Sequence, residues 1–309
     1  MSSQWDKLFT YDTLVHAIAG SVGSVTAMTV FYPLDTVRSR LQLEKDRQAK
    51  STMQMLQDLV QQEGIESLYR GLPPVLTSLC ASGFVYFYTF HGLRAVFTSK
   101  SATGQHSAGR DLALGALAGA INVYLTTPMW VVNTRMKMQG IRGKTNAKQY
   151  PVYDGIFDGL CRISREEGIG TLWAGTLPSL VLVSNPAIQF MVYESLKRRT
   201  MEFLKSDRLN APTIFLLGAI SKSISTVITY PLQVVQAKSR YGSDEVKNKR
   251  MMEILMDIVD KDGVSGGLYK GLESKLLQTV MTTALMYLAY EKIVAFVFSV
   301  LLSNKQKKC

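Results

Sequence analysis

Lys222 is the side chain whose position most clearly suggests chemistry. It lies in the apolar stretch 211–237, nine residues before Pro231. A charge at the depth of a membrane is costly and usually faces a water-filled path. A lysine ammonium group in such a path is a point charge that can hold a phosphate. The position therefore indicates capture of an anion; the alternative is a side chain that snorkels to the interface or is buried neutral.

Residues that could perform catalysis are missing from the rest of the chain. The sequence has no Gly-x-Ser-x-Gly motif, no His-Glu-x-x-His motif and no P-loop. Cys80, Cys161 and Cys309 have neither metal nor redox spacing, and an odd count does not suit a disulfide framework. His16 and His91 have no ligand-like neighbours in the sequence. We therefore predict no enzyme activity, no metal and no bound cofactor.

The elements that must position Lys222 are long apolar stretches. Each contains few charges and is near or above the ~20 residues that a spanning helix needs. Charged residues are concentrated between the stretches. The sequence therefore predicts an all-α membrane protein with six transmembrane helices, at approximately 12–34, 72–97, 111–134, 177–196, 211–237 and 272–302.

The net charge of +11 favours an anionic partner, either phospholipid headgroups or a phosphorylated solute. Nucleic acid is excluded because the aromatic residues lie inside the apolar stretches and not among basic runs. Residues 1–11 resemble neither a secretory signal nor an Arg-rich transit peptide, so we expect internal targeting. The basic residues Arg142, Lys144 and Lys148 are candidates for contact with a targeting receptor or with anionic lipid.

Two landmarks recur three times, with a period of about 100 residues. One is a proline preceded thirteen positions earlier by a glycine. The other is an acid-Gly pair followed by an aromatic-x-Gly triplet. These landmarks predict three tandem units, at 1–102, 103–207 and 208–309. The first landmark falls at Gly20 and Pro33, Gly115 and Pro128, and Gly218 and Pro231; the second begins at Glu63, Glu167 and Asp262.

Each unit is predicted to consist of a long helix, a short amphipathic helix and a second long helix. The short helices, near 53–60, 156–163 and 254–259, have apolar residues at three-to-four spacing and are expected to lie along the membrane surface. Small residues near the start of each odd-numbered helix predict close helix packing. The three prolines remove backbone hydrogen bonds, so they are expected to kink these helices towards a common axis and close one end.

The sequence from Pro33 to Arg40, Pro-Leu-Asp-Thr-Val-Arg-Ser-Arg, resembles the repeated motif of the mitochondrial carrier family. Glu63-Gly64 and Tyr69-Arg70-Gly71 continue the resemblance, which covers essentially the whole chain. It implies a threefold pseudosymmetric bundle around a central cavity. The cavity opens alternately to either side and is gated by a charged network at each end.

Both gates that the resemblance implies are incomplete here, so we expect exchange not to be strictly obligatory. The alternative is closure by packing and hydrogen bonds. Arg40, Arg135 and Arg240 are grouped as basic residues that serve the gate and follow the prolines in all three units. At the proline end the acid position reads Asp35, Trp130 and Gln233, and the base position reads Arg38, Asn133 and Gln236. At the opposite end the motif is complete at Glu194 and Lys197, lacks the acid at His91 and Arg94, and lacks the base after Glu291.

The segment from Pro128 to Arg135, with its tryptophan, resembles the branch of the family that carries folate or FAD, NAD and pyrimidine nucleotides. Gln233, Gln236 and Asn185-Pro186 resemble its peroxisomal members most. The resemblance implies exchange of CoA, FAD, NAD, AMP and ADP across the peroxisomal membrane. The alternatives are a mitochondrial inner-membrane FAD/folate or NAD/pyrimidine-nucleotide carrier and a non-transporting membrane scaffold.

Substrate-contacting positions follow from the same resemblance, which places them on the even-numbered helices. Lys275 is a candidate substitute for an arginine that related carriers tend to show at position 278. Tyr86 and Tyr88 could stack on an adenine ring, although helix packing is the alternative role. With Lys222, Lys275 and the two tyrosines, the candidates are Ser78, Leu79, Val181, Leu182, Gln278 and Thr279.

Overall fold

The fold is described from a computed structural model, over residues 23, 25–43, 51–98, 108–139, 152–205, 209–242, 246 and 249–285. Within these residues the regular structure is helical. Residues 25–30 are helical and lead through a turn at Phe31 into α1. The helices are α1 (Tyr32–Leu43), α2 (Thr52–Glu63), α3 (Leu72–Thr98), α4 (Ala108–Lys137), α5 (Ile156–Glu166), α6 (Thr176–Leu182), α7 (Asn185–Leu204), α8 (Ala211–Tyr241), α9 (Met251–Gly263) and α10 (272–285).

The three predicted amphipathic helices are confirmed as α2, α5 and α9. Each packs its apolar face on the proline end of the first long helix of its own repeat, which is α1, α4 or α8. In the first repeat Met55 and Leu59 of α2 are fully buried against Val37 and Leu41 of α1. The second and third repeats have equivalent clusters, centred on Ile163 of α5 and on Ile254 and Ile258 of α9.

The glycine of each aromatic-x-Gly triplet begins the following helix at a point of close contact with the next repeat. Gly71, Gly175 and Gly271 have φ of 81°, 79° and 82°, a region that disfavours side chains. A Cβ at Gly71 would lie 3.1 Å from Lys137 Cγ, and one at Gly175 would lie 3.2 Å from the carbonyl oxygen of Gln236. This landmark therefore marks the places where successive repeats meet.

Three helical segments in the described part of the chain are long and apolar enough to cross a membrane: Gly109–Lys137, Ile169–Leu204 and Ala211–Tyr241. They correspond to the predicted third, fourth and fifth spans. The predicted second span is the 27-residue helix α3. Of the predicted first and sixth spans, residues 12–22, 24 and 286–302 lie outside the described residues.

The fourth span is the pair α6 and α7, and not the single continuous helix that its apolar length predicts. Pro186 has no N–H to donate to the preceding turn, which explains why the helical ladder breaks before it. The break is anchored to α8, because Asn185 Nδ2 donates to Thr229 Oγ1 at 2.7 Å and Ser225 Oγ donates to the Asn185 carbonyl at 3.1 Å.

The small residues on the first long helix of a repeat behave differently in the second repeat (α4) and the third repeat (α8). In α4 a Cβ at Gly119 would lie 2.8 Å from Val183 Cγ1, and Ala118 is fully buried, so close packing is confirmed there. In α8 a Cβ at Gly218 would meet no heavy atom within 4 Å, and this glycine instead lines a cavity. Gly20 lies outside the described residues.

Candidate functional site

The first and second repeats are joined at the proline end by an ion pair between Asp35 and Lys137. Lys137 Nζ donates to Asp35 Oδ2, and the side chains are 13% (Lys137) and 9% (Asp35) exposed. Arg38 Nη1 lies 3.6 Å from the other carboxylate oxygen of Asp35. The Lys137 ammonium group also lies 5.3 Å from the ring centroid of Tyr32, which is a cation–π distance.

The second and third repeats meet through Trp130 and Arg240. The guanidinium carbon of Arg240 lies 5.7 Å from the Trp130 ring centroid. Arg240 Nη2 also donates to Ser179 Oγ at 3.2 Å. A cation–π contact thus stands where an acid at position 130 would have paired with a base.

The third and first repeats meet through a hydrogen bond without charge. Gln42 Nε2 donates to the Tyr230 hydroxyl at 3.0 Å, and that hydroxyl donates to the Lys270 carbonyl at 2.9 Å. Close by, the hydroxyls of Thr52 and Ser274 are 2.8 Å apart and buried.

These three contacts close a ring, which we call the proline-end ring: Asp35–Lys137, Trp130–Arg240 and Tyr230–Gln42. Its nitrogen-bearing members, Gln42, Lys137 and Arg240, each stand nine residues after the proline of their repeat. The bases predicted from the sequence stand five residues after each proline, so Lys137 and Gln42 were missed. The shared spacing of nine residues, one helical turn further along, is the signal that could have found them.

The grouping of Arg40, Arg135 and Arg240 as equivalent residues is wrong. Arg240 belongs to the proline-end ring, and the third equivalent of Arg40 and Arg135 is Lys238, seven residues after Pro231. Each of these three cations pairs with the acid of the acid-Gly landmark in its own repeat. The pairs are Arg40–Glu63 at 2.9 Å, Arg135–Glu167 with a bidentate geometry, and Lys238–Asp262 at 3.9 Å.

The remaining predicted positions at the proline end make polar contacts. Asn133 Nδ2 donates to Ser78 Oγ at 2.7 Å, and both residues are buried. Gln236 Nε2 donates to Ser179 Oγ at 2.7 Å, so it joins α8 to α6. Gln233 Nε2 instead donates to Thr229 Oγ1 of its own helix at 3.2 Å.

At the opposite end the predicted pair does not bridge two helices. Glu194 and Lys197 lie 4.0 Å apart on α7 with side chains 34% and 39% exposed. The His91 ring packs edge-on against Phe90 of its own helix. Arg94 lies near the end of α3, and Glu291 lies outside the described residues.

Lys222 lies on a cavity between α7, α8 and α10. This cavity measures about 380 Å³ and is also lined by Gln189 and Thr283. Gln189 was not identified from the sequence, although a glutamine in an apolar span is itself a signal of a polar environment. A second cavity, of about 170 Å³, lies between α3, α4, α6 and α8 and is lined by Trp130 and Leu182 among others.

The structure brings Lys275 and Gln278 together, because Lys275 Nζ donates to Gln278 Oε1 at 3.4 Å. Thr279 Oγ1 donates to the Lys275 carbonyl at 2.7 Å. Arg38, Asp35, Lys222 and Lys137 all lie close enough to Lys275 to act on its charge. In the described part of the chain, Lys222, Lys275 and Arg240 form no ion pair within 4 Å.

The other predicted contact residues differ in accessibility. Leu79 and Val181 are 41% and 40% exposed. Tyr86 stacks on Phe90 and its hydroxyl would lie 3.6 Å from a Cβ at Gly115, which fits helix packing. Tyr88 is 73% exposed.

Among the residues that the structure describes, no three histidine, cysteine, aspartate or glutamate side chains converge as a metal site would require. The site therefore consists of cations, amides, hydroxyls and aromatic rings around two cavities. Such a site can bind and orient an anion with a polar or aromatic portion.

Comparisons with known proteins agree with this architecture. The family described as "Mitochondrial carrier protein" matches residues 9–101, 104–203 and 207–300. The chain is 49% identical over 304 residues to "Peroxisomal membrane protein PMP34" of Mus musculus, covering 96% of this chain and 97% of the relative.

Two plant relatives have names that state a substrate. "Peroxisomal nicotinamide adenine dinucleotide carrier" of Arabidopsis thaliana is 33% identical over 92% of this chain and 96% of its own length. "Peroxisomal adenine nucleotide carrier 1" of Glycine max is 30% identical over 96% of this chain and 95% of its own length. With three tandem matches and relatives aligned along nearly its full length, the chain belongs to the mitochondrial carrier protein family.

Proposed function

We propose that this carrier moves adenine-containing cofactors and nucleotides, such as CoA, FAD, NAD, AMP and ADP, across the peroxisomal membrane. The observation that carries the proposal is the cavity lysine, Lys222, together with Lys275, which lies within the electrostatic reach of Lys222, Arg38 and Lys137. Asp35 is shared by Lys137 and Arg38, whereas Lys222, Lys275 and Arg240 have no ion-pair partner among the described residues. Excess positive charge in a low-dielectric path attracts phosphate groups.

The names of the relatives support two parts of the proposal, an adenine-containing substrate and the peroxisomal membrane. Relatives named for peroxisomal transport of NAD and of adenine nucleotides align with nearly the whole chain. The more similar PMP34 is named for the peroxisomal membrane alone. Relatives named as mitochondrial or chloroplastic NAD carriers and as a chloroplastic folate transporter are 29–30% identical.

In the proposed site Lys222 holds a phosphate, and Lys275, hydrogen-bonded to Gln278, supplies a second positive charge. Leu79, Val181 and Leu182 contribute apolar surface, and Thr279 and the two tyrosines contribute hydroxyls. Ser78 is engaged by Asn133 in this structure, so it becomes available to substrate only when that contact opens.

Alternating access is proposed to proceed by opening of the proline-end ring while the opposite end closes through Glu194, Lys197, His91, Arg94 and Glu291. The ring contains one ion pair, one cation–π contact and one neutral hydrogen bond. Ion pairs of this kind are worth about 1–2 kcal/mol each, so two missing pairs lower the barrier to movement of the empty carrier. Exchange and uniport are therefore both expected.

We also propose that the chain is a carrier and not an enzyme, with no resident cofactor. Membrane lipids are proposed as further partners. The basic cluster Arg142, Lys144 and Lys148, which lies outside the described residues, is proposed to contact a membrane-protein targeting receptor or anionic lipid.

Uptake by reconstituted liposomes tests the proposal. Uptake of labelled CoA, FAD, NAD, AMP, ATP, UTP and citrate is compared for the wild type and two variants. The variants are Lys222→Ala and the control Lys249→Ala, in which the lysine that is replaced pairs with Asp257 of α9. We expect uptake of CoA, FAD or AMP that is lost in Lys222→Ala and kept in Lys249→Ala.

Other results would favour other functions. Uptake of UTP would indicate a pyrimidine-nucleotide carrier, and uptake of citrate a carboxylate carrier. No uptake, together with no thermal stabilisation by any of these ligands in detergent, would indicate a scaffold, because a ligand that binds the folded state stabilises it.

A further inference from the structure

Arg240 carries a positive charge that no carboxylate among the described residues neutralises. Nη2 of its guanidinium group donates to Ser179 Oγ at 3.2 Å, whereas the buried Nε and Nη1 have no partner in this part of the chain. The charged side chain that acts on it is a second cation, Arg38. The carboxylate of Asp35 is shared by Arg38 and Lys137. A guanidinium group in the span Ala211–Tyr241 therefore lacks a counter-charge.

Two features of the fold offset the charge of Arg240 only in part. The Trp130 ring lies 5.7 Å from the guanidinium carbon and orients the group, but an aromatic ring has no net charge. The C-terminal end of α8 at Tyr241 has a partial negative charge, and Arg240 lies one residue before it. An unpaired charge that is partly removed from water is costly. This cost favours binding of an external anion.

The smaller of the two cavities, of about 170 Å³, provides room for an anion beside Arg240. Arg240, Gln236, Trp130 and Thr126 line it, and of the described residues around it none is acidic. Pockets that hold a whole drug-sized ligand are usually about 300–1,000 Å³. This cavity therefore suits a small oxyanion, or one phosphate group of a larger molecule.

The hydrogen-bonding groups around the cavity match phosphate. A guanidinium group is a preferred donor to phosphate oxygens, and Nη1 of Arg240 keeps both of its N–H groups. Gln236 Nε2 donates one N–H to Ser179 and keeps a second. Thr126 Oγ1 donates its hydrogen to the Asn122 carbonyl at 2.8 Å, so it can only accept from a ligand. Phosphate carries a P–OH group near neutral pH and can satisfy both kinds of group.

We infer that this cavity binds a phosphate group on Arg240, at the contact between the second and third repeats. The anion takes the place of the carboxylate that is absent at position 130, and it stabilises the closed proline end. Its source is either free inorganic phosphate or the phosphate group of the substrate. The inference goes beyond the proposed function, because it holds for any solute that binds at Lys222.

Thermal unfolding of the purified carrier in detergent tests the inference, with inorganic phosphate as the probe and sodium chloride at equal ionic strength as the reference. All variants carry Lys222→Ala, which removes the cavity lysine as a competing phosphate site. In this background we expect phosphate to raise the melting temperature saturably, because a ligand that binds the folded state stabilises it. Addition of Arg240→Gln is expected to weaken the apparent phosphate affinity about tenfold or more.

Two further variants make the test specific to Arg240. Lys238→Gln is the matched control, because it removes a cation from the same helix that already pairs with Asp262, and it should keep the phosphate response. Trp130→Asp retains Arg240 and supplies the counter-charge from within the chain. It should therefore lose the phosphate response, with a higher melting temperature in the absence of phosphate.

A phosphate response that persists unchanged in Arg240→Gln or in Trp130→Asp would overturn the inference, as would no response with Arg240 and Trp130 intact. In the Lys222→Ala background, a similar response to AMP identifies the phosphate group of the substrate as the ligand. A response to inorganic phosphate alone identifies the free ion.

The uptake assay separates this inference from the proposed function. Nucleotide uptake by the wild type without any phosphate response in the Lys222→Ala background would overturn the inference alone. A phosphate response that depends on Arg240, without nucleotide uptake by the wild type, would overturn the proposed function alone.

Discussion

At the scale of single residues, closure of the proline end depends on which group each polar or charged side chain contacts in the neighbouring repeat. Lys137, Arg240 and Gln42 occupy equivalent positions, yet each contacts a different chemical group in the neighbouring repeat. Two cations at these positions and one carboxylate opposite them leave an excess of positive charge at the proline end. The same residues can therefore close the bundle and attract an anionic substrate.

The ion pair between Asp35 and Lys137 is expected to stabilise the closed proline end. Both side chains are largely buried, and loss of one partner of a buried pair costs about 3–5 kcal/mol. Asp35→Asn and Lys137→Gln are each expected to lower the melting temperature in detergent and to speed uniport. The double variant Asp35→Asn with Lys137→Gln should lose less than the sum of the two single losses in both measurements, because both singles remove the same contact. If the two losses add, the two side chains do not act as a pair.

The three landmark ion pairs should contribute unequally to stability. Arg135 is fully buried and binds Glu167 with two hydrogen bonds, whereas Lys238 and Asp262 are 3.9 Å apart and 25% and 55% exposed. Arg135→Gln is expected to destabilise the protein by about 3–5 kcal/mol and Lys238→Gln by about 1 kcal/mol or less. Thermal unfolding of the two variants side by side measures the difference; equal losses would contradict it.

At the scale of elements, each repeat is organised around the short surface helix. The helices α2, α5 and α9 bury their apolar faces on α1, α4 and α8, and the landmark ion pair joins the end of each short helix to its long helix. The glycine that begins the next long helix then contacts the neighbouring repeat. A change at this glycine therefore acts on the contact between repeats.

Gly175→Ala tests this role. Gly175 has φ of 79°, and a Cβ there would lie 3.1 Å from Arg240 Cγ and 3.2 Å from the carbonyl oxygen of Gln236. Backbone strain of about 1–3 kcal/mol is expected, so the melting temperature should fall and the proline end should open more readily. Gly170→Ala is the matched control, because a Cβ at Gly170 has no neighbour within 4 Å. Similar effects of the two substitutions would exclude a special role for Gly175.

At the scale of the whole molecule, the three seams between repeats are unequal. An ion pair joins the first to the second repeat, a cation–π contact joins the second to the third, and a neutral hydrogen bond joins the third to the first. A pseudosymmetric bundle of this kind is closed by weaker forces than a ring of three ion pairs would supply. This inequality is the basis for expecting uniport beside exchange.

Addition of a second ion pair should suppress uniport. Trp130→Asp places a carboxylate opposite Arg240, in the position that Asp35 has opposite Lys137. We expect the ratio of uniport to exchange in proteoliposomes to fall about tenfold, as one additional pair of 1–2 kcal/mol implies. The transported label is radioactive AMP, and because the ratio is taken within one variant, a change in affinity for AMP enters both rates. A wild type that shows no flux without counter-substrate would contradict the expectation of uniport itself.

Much of the fold could be predicted from the sequence because its signals are local. Apolar length predicted the spans that the structure shows as α3, α4 and α8, and three-to-four periodicity predicted α2, α5 and α9. The recurring landmarks identified the family, which the comparisons confirm. Lys222 was recognised because a charge in an apolar stretch is unusual, and the structure places it on a cavity.

Contacts between repeats were decided only by the tertiary structure. Whether Asp35 meets position 133 or position 137 depends on the rotation and height of α4 relative to α1, and neither is encoded in the periodicity of one helix. The same holds for the meeting of Ser82 with Asn122 across two helices. Sequence alone determined which elements form and how often they repeat; packing of the repeats against one another determined which side chains meet.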